Sequence, residues 1–489
     1  MTPKYDADVV IIGYGPVGAT LANLLGLSGI STLVLEREEA AYHLPRAVHF
    51  DDEVMRVFQT IGLAEAIEQT VHVSPGMRFM DANGRILLEW PRPNDRTAQG
   101  WHASYRFHQP DLERILRDGL ARFPLASVRA RMEALAVDQD ADGVIVRCEN
   151  LCSSMLERVR ARYVVGCDGA RSFIRRKIGE TPDDLGFNER WLVADVLLTQ
   201  PKPELGEFSI QYCDPARSAT YVRGTENRRR WEIRLHEDEE DAEMTRPERV
   251  WQLLGRWLSP EEAKLERAAC YRFQSIVARP WRHRRILLAG DAAHQTPPFL
   301  GQGMCAGIRD VANLAWKLVR VLRGQDSEAL LDTYESERAP HVREYIELAV
   351  RLGGLINTKS TEAAVQQRRL TDEPASMESI VPELGPGLSA GWSGLPRKPA
   401  PQPVLSDGRP LDAHVGYAPV LLLRADVTVP AAELERATGH GVAVVRDAAA
   451  GLQDWLAALG VTAVAVRPDR YVLGAARDTD ELLMLIREL

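Results

Sequence analysis

The sequence predicts an α/β protein: a parallel-sheet domain, an antiparallel-sheet domain interleaved with it, and a small α/β domain at the C-terminal end. Three observations carry this. Gly13-Tyr14-Gly15-Pro16-Val17-Gly18 separates a short β-branched run from a helical one, the setting of a dinucleotide-binding turn. Far along the chain, the apolar run Ile286–Ala289 ends in Gly290-Asp291 and leads to Pro298-Phe299-Leu300-Gly301-Gln302-Gly303-Met304. Between them, residues 185–280 alternate apolar and polar positions, as antiparallel strands do.

In chain order, Val9–Ile12 reads as a central strand, Val17–Leu27 as a helix and Ser31–Glu36 as the next strand. Leu112–Leu120 reads as a helix, with Asp111 of Gln109-Pro110-Asp111 placed to cap it. Ala161–Cys167 is a further strand, running into Asp168-Gly169-Ala170-Arg171-Ser172. Phe208–Tyr212, Ala219–Arg223 and Arg230–Leu235 have sheet alternation, and Arg228-Arg229-Arg230 reads best as a solvated hairpin tip. A helix is expected over Cys305–Leu318, then a long one from Leu330 to Ile356 with a kink or break at Pro340. Prolines and glycines crowd residues 378–412, as in a linker. Beyond it, the strands Ala418–Leu423, Val442–Val445 and Val464–Val466 alternate with the helices Gly451–Leu459 and Asp478–Leu489.

A chain of 489 residues suggests two or three domains. Its net charge of −9 argues against a nucleic-acid surface. The six cysteines form no Cys-x-x-Cys pair, so buried free thiols are expected rather than a disulfide framework or metal site. The uncharged run Val9–Leu35 is long enough to span a membrane. It is interrupted by five glycines and Pro16 and divides into strand, turn, helix and strand, so a βαβ unit is expected and no membrane span. No leader pattern opens the chain, and a cytoplasmic location is expected.

Gly13 allows the tight turn, Gly15 lets the backbone approach a pyrophosphate, and Gly18 lets helix pack on strand. The helix start at Pro16-Val17 adds amide donors. Glu36, followed by Arg37, closes the second strand where an acid meets an adenosine ribose. Asp291 reads either as an acceptor for ribityl hydroxyls or as a helix cap. Gly301, Gly303 and Met304 open a helix whose amides can stabilise negative charge on a flavin ring. Arg46 and Gln109 are further candidates for cofactor contact. Asp168 is a candidate too, with a structural turn aspartate as its alternative. His49 and His102 are candidate bases for a phenol, although a lone histidine is more often structural.

The set Gly13-x-Gly15-x-x-Gly18 with Glu36, Cys167-Asp168-Gly169-Ala170-Arg171-Ser172, Gly290-Asp291-Ala292-Ala293-His294 and Pro298-x-x-Gly301-Gln302-Gly303 resembles the single-component FAD-dependent aromatic hydroxylases. Pro45-Arg46-Ala47-Val48 before Asp51-Asp52-Glu53 is most similar to the branch containing 3-(3-hydroxyphenyl)propionate hydroxylase. The resemblance covers about residues 6–350 and extends into a tail that looks thioredoxin-like, without its Cys-x-x-Cys. It implies a Rossmann-like FAD-binding domain over 1–75, 108–184 and 281–360, and a substrate-binding sheet domain over 76–107 and 185–280. A helical segment and linker over 361–412 and a thioredoxin-like domain over 413–489 complete the expected layout. It further implies FAD, transient NADH or NADPH, and O2, with a small phenolic substrate hydroxylated through a flavin C4a-hydroperoxide. His49, Pro298 and Gly301 are the expected catalytic residues, and Pro297, Pro298 and Phe299 the expected dry wall of the pocket. Epoxidation or Baeyer–Villiger oxidation of a polyketide, and a non-catalytic binding protein on the same fold, stay as alternatives. A homodimer is left open.

Overall fold

The computed structural model describes residues 4–40, 46–179, 181–357, 365–367, 369–370, 373–388 and 397–488. Pro45, Pro396, Leu489 and part of the helical segment expected after residue 360 lie outside them.

Apolar on both faces, Ala7–Ile12 takes the centre of a sheet, parallel to Thr32–Leu35 on one side and to Met155–Gly166 on the other. Ala126–Arg129 and Ile286–Leu288 extend it, again in parallel. The register sets Ile12 beside Leu35 and Gly166, and Gly166 beside Leu288. The turns that follow these strands therefore leave one edge of the sheet together, the carboxyl edge where α/β folds bind ligands. Met155–Gly166 starts earlier than expected because its first half pairs with Val144–Asn150 in an antiparallel arm.

A second, nine-stranded sheet runs beside the first, mostly antiparallel but with Ser209–Cys213 parallel to Gly76–Asp81. Cross-strand partners share a face. Asp195 faces Arg230, Glu232 faces Val193 and Thr220, and Thr220 faces Gln211, so one face is polar. Leu192, Ala194, Trp231 and Ile233 fill the other face under Pro247–Leu254. This overturns the solvated reading of the arginine triplet. Arg229 and Arg230 are 7% and 3% exposed, and Arg230 is ion-paired to Asp195 at 2.7 Å.

Asp111 does not cap its helix, which begins at Gln109 with Pro110 in the first turn; its carboxylate lies 2.9 Å from His108 Nδ1 instead. Nor does Pro340 break the long helix, which runs through it as Asp332–Asn357. Gly385 packs against the Pro340 ring and the Ser336 carbonyl, where a Cβ would come within 2.1 Å of that oxygen, and its amide bonds the Glu337 carbonyl at 2.8 Å. All six cysteines are free; Cys152, at a hairpin turn, is exposed rather than buried.

The C-terminal part is a four-stranded mixed sheet, Ala443–Arg446, Val420–Leu423, Ala463–Val466 and Val472–Ala476 in spatial order, with apolar clusters on both faces. It docks through buried charge. Arg56 meets Asp412 at 2.7 Å, and Arg467 meets Glu337 at 2.9 Å. Among the described residues no helix is long and apolar enough to cross a membrane.

Candidate active site

Gly13 has φ +102°, and a Cβ on Gly18 would lie 2.1 Å from the Gly13 carbonyl oxygen, so turn and helix touch backbone to backbone. Gly15 differs: nothing lies within 4 Å of where its Cβ would stand. It precedes the helix Pro16–Leu27, whose first turn receives no side-chain cap. Open space above uncapped amides is what an anionic diphosphate requires. Val17 packs against both Gly290 and Gly307, locking this turn to the later motif.

Glu36 points back at the turn. Its Oε2 accepts from the Tyr14 amide at 2.6 Å and its Oε1 from the Glu38 amide at 2.8 Å. Arg37 is exposed and pairs with Glu38 at 3.1 Å. Gln109 Oε1 accepts from the Arg46 and Ala47 amides at 2.7 and 2.9 Å, so these two candidates come together through the Arg46 backbone. Asp168 is committed locally, accepting from Ser172 Oγ and from the Phe173 and Ile174 amides, which favours the turn-aspartate reading.

Asp291 is different in kind. Among the described residues nothing donates to its carboxylate, which water reaches although protein crowds around it. That burial raises its pKa, against the pull of His294, Arg46 and Arg175. The strand-to-turn bend is held from below: Asp310 accepts from the Gly290 amide at 3.1 Å, meets His294 Nε2 at 2.7 Å and pairs with Arg338 at 3.0 Å.

Pro298–Leu300 forms one 3-10 turn, Gly301 follows with φ +65°, and the helix Gly303–Leu322 begins without a side-chain cap. No atom lies within 4 Å of a Cβ on Gly303. Phe299 does not face the cleft as expected. It is 1% exposed and packs edge-on to Phe187 and Trp191, anchoring the turn. His49 Nδ1 lies 3.2 Å from the Gly301 carbonyl, which can only accept, so that nitrogen carries the proton. Burial, then the Arg106 charge, lowers the His49 pKa to about 3. Through its bond to that carbonyl, His49 supports the Gly301 turn. His102 packs edge-on to Tyr105, whose side chain lies on the opposite face of a short sheet from His49.

Sequence reasoning missed the network behind this turn. Arg309 donates to Glu53 at 2.5 Å, Asp51 at 2.6 Å and Gln302 at 3.0 Å, and Tyr471 from the C-terminal part donates to Glu53 at 2.8 Å. The available signal was Arg309-Asp310, two adjacent charges inside an apolar helix.

Two uncapped helix starts over open glycines and one unbonded carboxylate between them fit a flavin dinucleotide, and at the carboxyl edge of a parallel sheet they define a flavoprotein. Comparison with known proteins agrees. Residues 6–349 match the family described as FAD binding domain, and residues 406–488 match the HcaD C-terminal domain. The chain is 40% identical over 511 residues to a probable NADH-specific resorcinol 4-hydroxylase of Rhodococcus jostii (strain RHA1), covering 99% of this chain and 94% of that one. It is 36% identical over 523 residues to a 3-(3-hydroxy-phenyl)propionate/3-hydroxycinnamic acid hydroxylase of Mycobacterium sp. (strain JLS), covering 96% and 89%. Two solved structures share the fold. The flavin-dependent monooxygenase PieE in complex with FAD and substrate has a TM-score of 0.82 at 22% identity, covering 100% of this chain and 99% of that one. Aklavinone-11 hydroxylase with FAD and aklavinone has a TM-score of 0.81 at 23% identity, with the same coverage. The chain belongs to the FAD binding domain family, in the branch of FAD-dependent aromatic hydroxylases that includes the 3-(3-hydroxyphenyl)propionate hydroxylases.

Proposed function

We propose that this enzyme hydroxylates a small phenol, with NADH as its electron donor, in the reducing cytoplasm. The observation that carries the reading is the unbonded Asp291 carboxylate just past the end of its strand, together with the open helix starts at Gly15 and Gly303. The likeness to a resorcinol and a hydroxyphenylpropionate hydroxylase supports the substrate class, and the printed specificity of the former supports NADH.

FAD, when bound, supplies the electron transfer and the activation of O2. The chain's own residues do the rest. The amides at Pro16–Val17 would hold the diphosphate, with Glu36 keeping their turn closed. Asp291 would accept from ribityl hydroxyls. The amides at Gly303 and Met304 would meet the electron-rich edge of the ring system, with Pro298 and Gly301 setting the turn that aims them. Arg46 lies beside Asp291, its carbonyl bonded by Arg230 at 2.7 Å, so the polar sheet wall is joined directly to the cofactor cleft.

A panel of phenols, assayed for stimulated NADH and NADPH oxidation with product identification, tests the reading. Stoichiometric hydroxylated product from at least one phenol is the expected result. Hydrogen peroxide alone across the panel would count against it. A narrower test falls on Asp291. Replacing it with Ala removes about one charge-assisted bond, so FAD should bind roughly ten- to a hundredfold more weakly. Because that carboxylate accepts no bond from the protein and burial opposes its ionisation, the thermal unfolding temperature of the flavin-free form should not fall.

A further inference from the structure

Two-residue strands His49–Phe50, Tyr105–Arg106 and His72–Val73 form a small sheet in which Arg106 lies beside both His49 and His72. The three basic side chains make a row on one face, while Phe50 and Tyr105 stack on the other. One end of the row touches Gly301. The other end, His72, meets Glu207 at 3.0 Å near the surface. The row therefore leads from the Gly301 turn outward to the surface, with Arg106 against Ser209 of the second sheet.

Arg106 in its centre is 5% exposed. Its Nη2 donates to Ser209 Oγ at 2.9 Å, its Nε has no acceptor, and among the described residues no carboxylate lies within 4.0 Å of it. That departs from the habit of this protein. Arg56, Arg230, Arg309, Arg338 and Arg467, equally buried, each have a carboxylate. Arg175 and Arg229 are held by backbone carbonyls instead. Glu232 attracts Arg106 only from beyond 4.0 Å; it lies 3.8 Å from Arg230, and burial raises its own carboxyl pKa. Arg92, over the Trp90 ring at 4.1 Å, adds a second positive charge towards Arg106 and His49. A buried guanidinium with one neutral hydrogen-bond partner and no ion pair is costly unless something else supplies a closer counter-charge.

We propose that Arg106 is the centre of an anion subsite in the aromatic pocket, and that an anionic oxygen of the ligand is its missing partner. The subsite rests on the proposed hydroxylation of a phenol, with the substrate lying against this row and the polar face of the second sheet. A carboxylate on the ring's side chain and an ionised phenol share that chemistry.

The FAD-loaded enzyme and its Arg106→Gln and Arg106→Lys variants are titrated by calorimetry with 3-phenylpropionate, which has no phenol, and with 4-nitrophenol, ionised in mildly alkaline buffer. Both titrations read binding without turnover, so a failure of hydroxylation and a failure of the subsite are separate results. The Gln variant should bind the relevant anion on the order of 30-fold more weakly, and the Lys variant should recover part of the loss. Loss confined to 3-phenylpropionate assigns a side-chain carboxylate; loss confined to 4-nitrophenol assigns the phenolate. Unchanged affinity for both ligands overturns the proposal, as does a loss of FAD affinity with ligand binding intact. Should the Gln variant not fold, the wild type decides. An anion subsite requires 3-phenylpropionate to bind more tightly than its uncharged amide, or 4-nitrophenol more tightly than its methyl ether. Equal affinities in both pairs overturn it.

Discussion

Glu337→Ala should lower the stability of the folded chain by about 3–5 kcal/mol, because it removes one acid from between two buried cations. Glu337 is 1% exposed. Its Oε2 accepts from Lys317 at 2.8 Å and Asn313 at 2.9 Å, and its Oε1 from Arg467 at 2.9 Å and the Leu388 amide at 3.1 Å. One side chain thus ties the helix that starts at the flavin turn to the C-terminal sheet and to the Gly385–Leu388 stretch of the linker. Ala leaves buried Lys317 without its carboxylate partner and Arg467 with Asp469 alone, whereas Gln keeps the shape and should cost less. Thermal unfolding of the two variants checks the order. The same carboxyl sets an acid limit. Burial opposes its ionisation, but the Arg467 and Lys317 cations more than reverse this and hold its pKa at about 2, below the ordinary value of 4.5. A carboxyl depressed in the fold contributes stability that is present above pH 4.5 and lost as pH falls towards 2. The Gln variant should lack that part of the wild-type acid transition, and equal acid profiles would refute the assignment.

The strands of the first sheet were legible because they are buried on both faces, which leaves short β-branched runs between glycine turns. Asp291 was legible for the same reason, as the first acid after such a run. What could not be read depends on partners remote in sequence. Arg309 and Glu53 are 256 positions apart, and Tyr471 and Glu53 are 418 apart. No spacing rule links them. The row His49, Arg106 and His72 sits on two-residue strands, too short for any periodicity to show. The arginine triplet misled because charge was read as solvent exposure, whereas the inner face of that sheet is polar and Asp195 compensates Arg230. Pro340 misled because its effect on the helix depends on Gly385, a linker residue packed against the carbonyl that proline leaves without an amide.

Arg309→Met should be as damaging as the loss of Glu337, and it should reach the flavin turn directly. Arg309 is 4% exposed and is the cation shared by Asp51 and Glu53, each about one-tenth exposed at the side chain. Without it two buried carboxylates face each other beside Asp52, whose own pKa is already raised to about 6 by burial and by those neighbours. A loss of about 3–5 kcal/mol is expected. Gln302, which bonds both Arg309 and Asp51, sits between Gly301 and Gly303, so its tether loosens where the cofactor ring would meet the helix start. FAD retention should therefore fall together with stability. Acid separates this account from simple loss of packing. In the variant, burial without a cation raises the carboxyl pKa values, and a raised carboxyl contributes stability present at low pH and lost as pH climbs through its folded value. The deficit against wild type should then shrink between pH values of about 7 and 5, whereas a packing defect would leave it constant. Arg309→Lys, which keeps the charge but not the planar fork, should restore most of the stability and less of the FAD affinity, because one ammonium cannot hold Glu53, Asp51 and Gln302 in the same geometry.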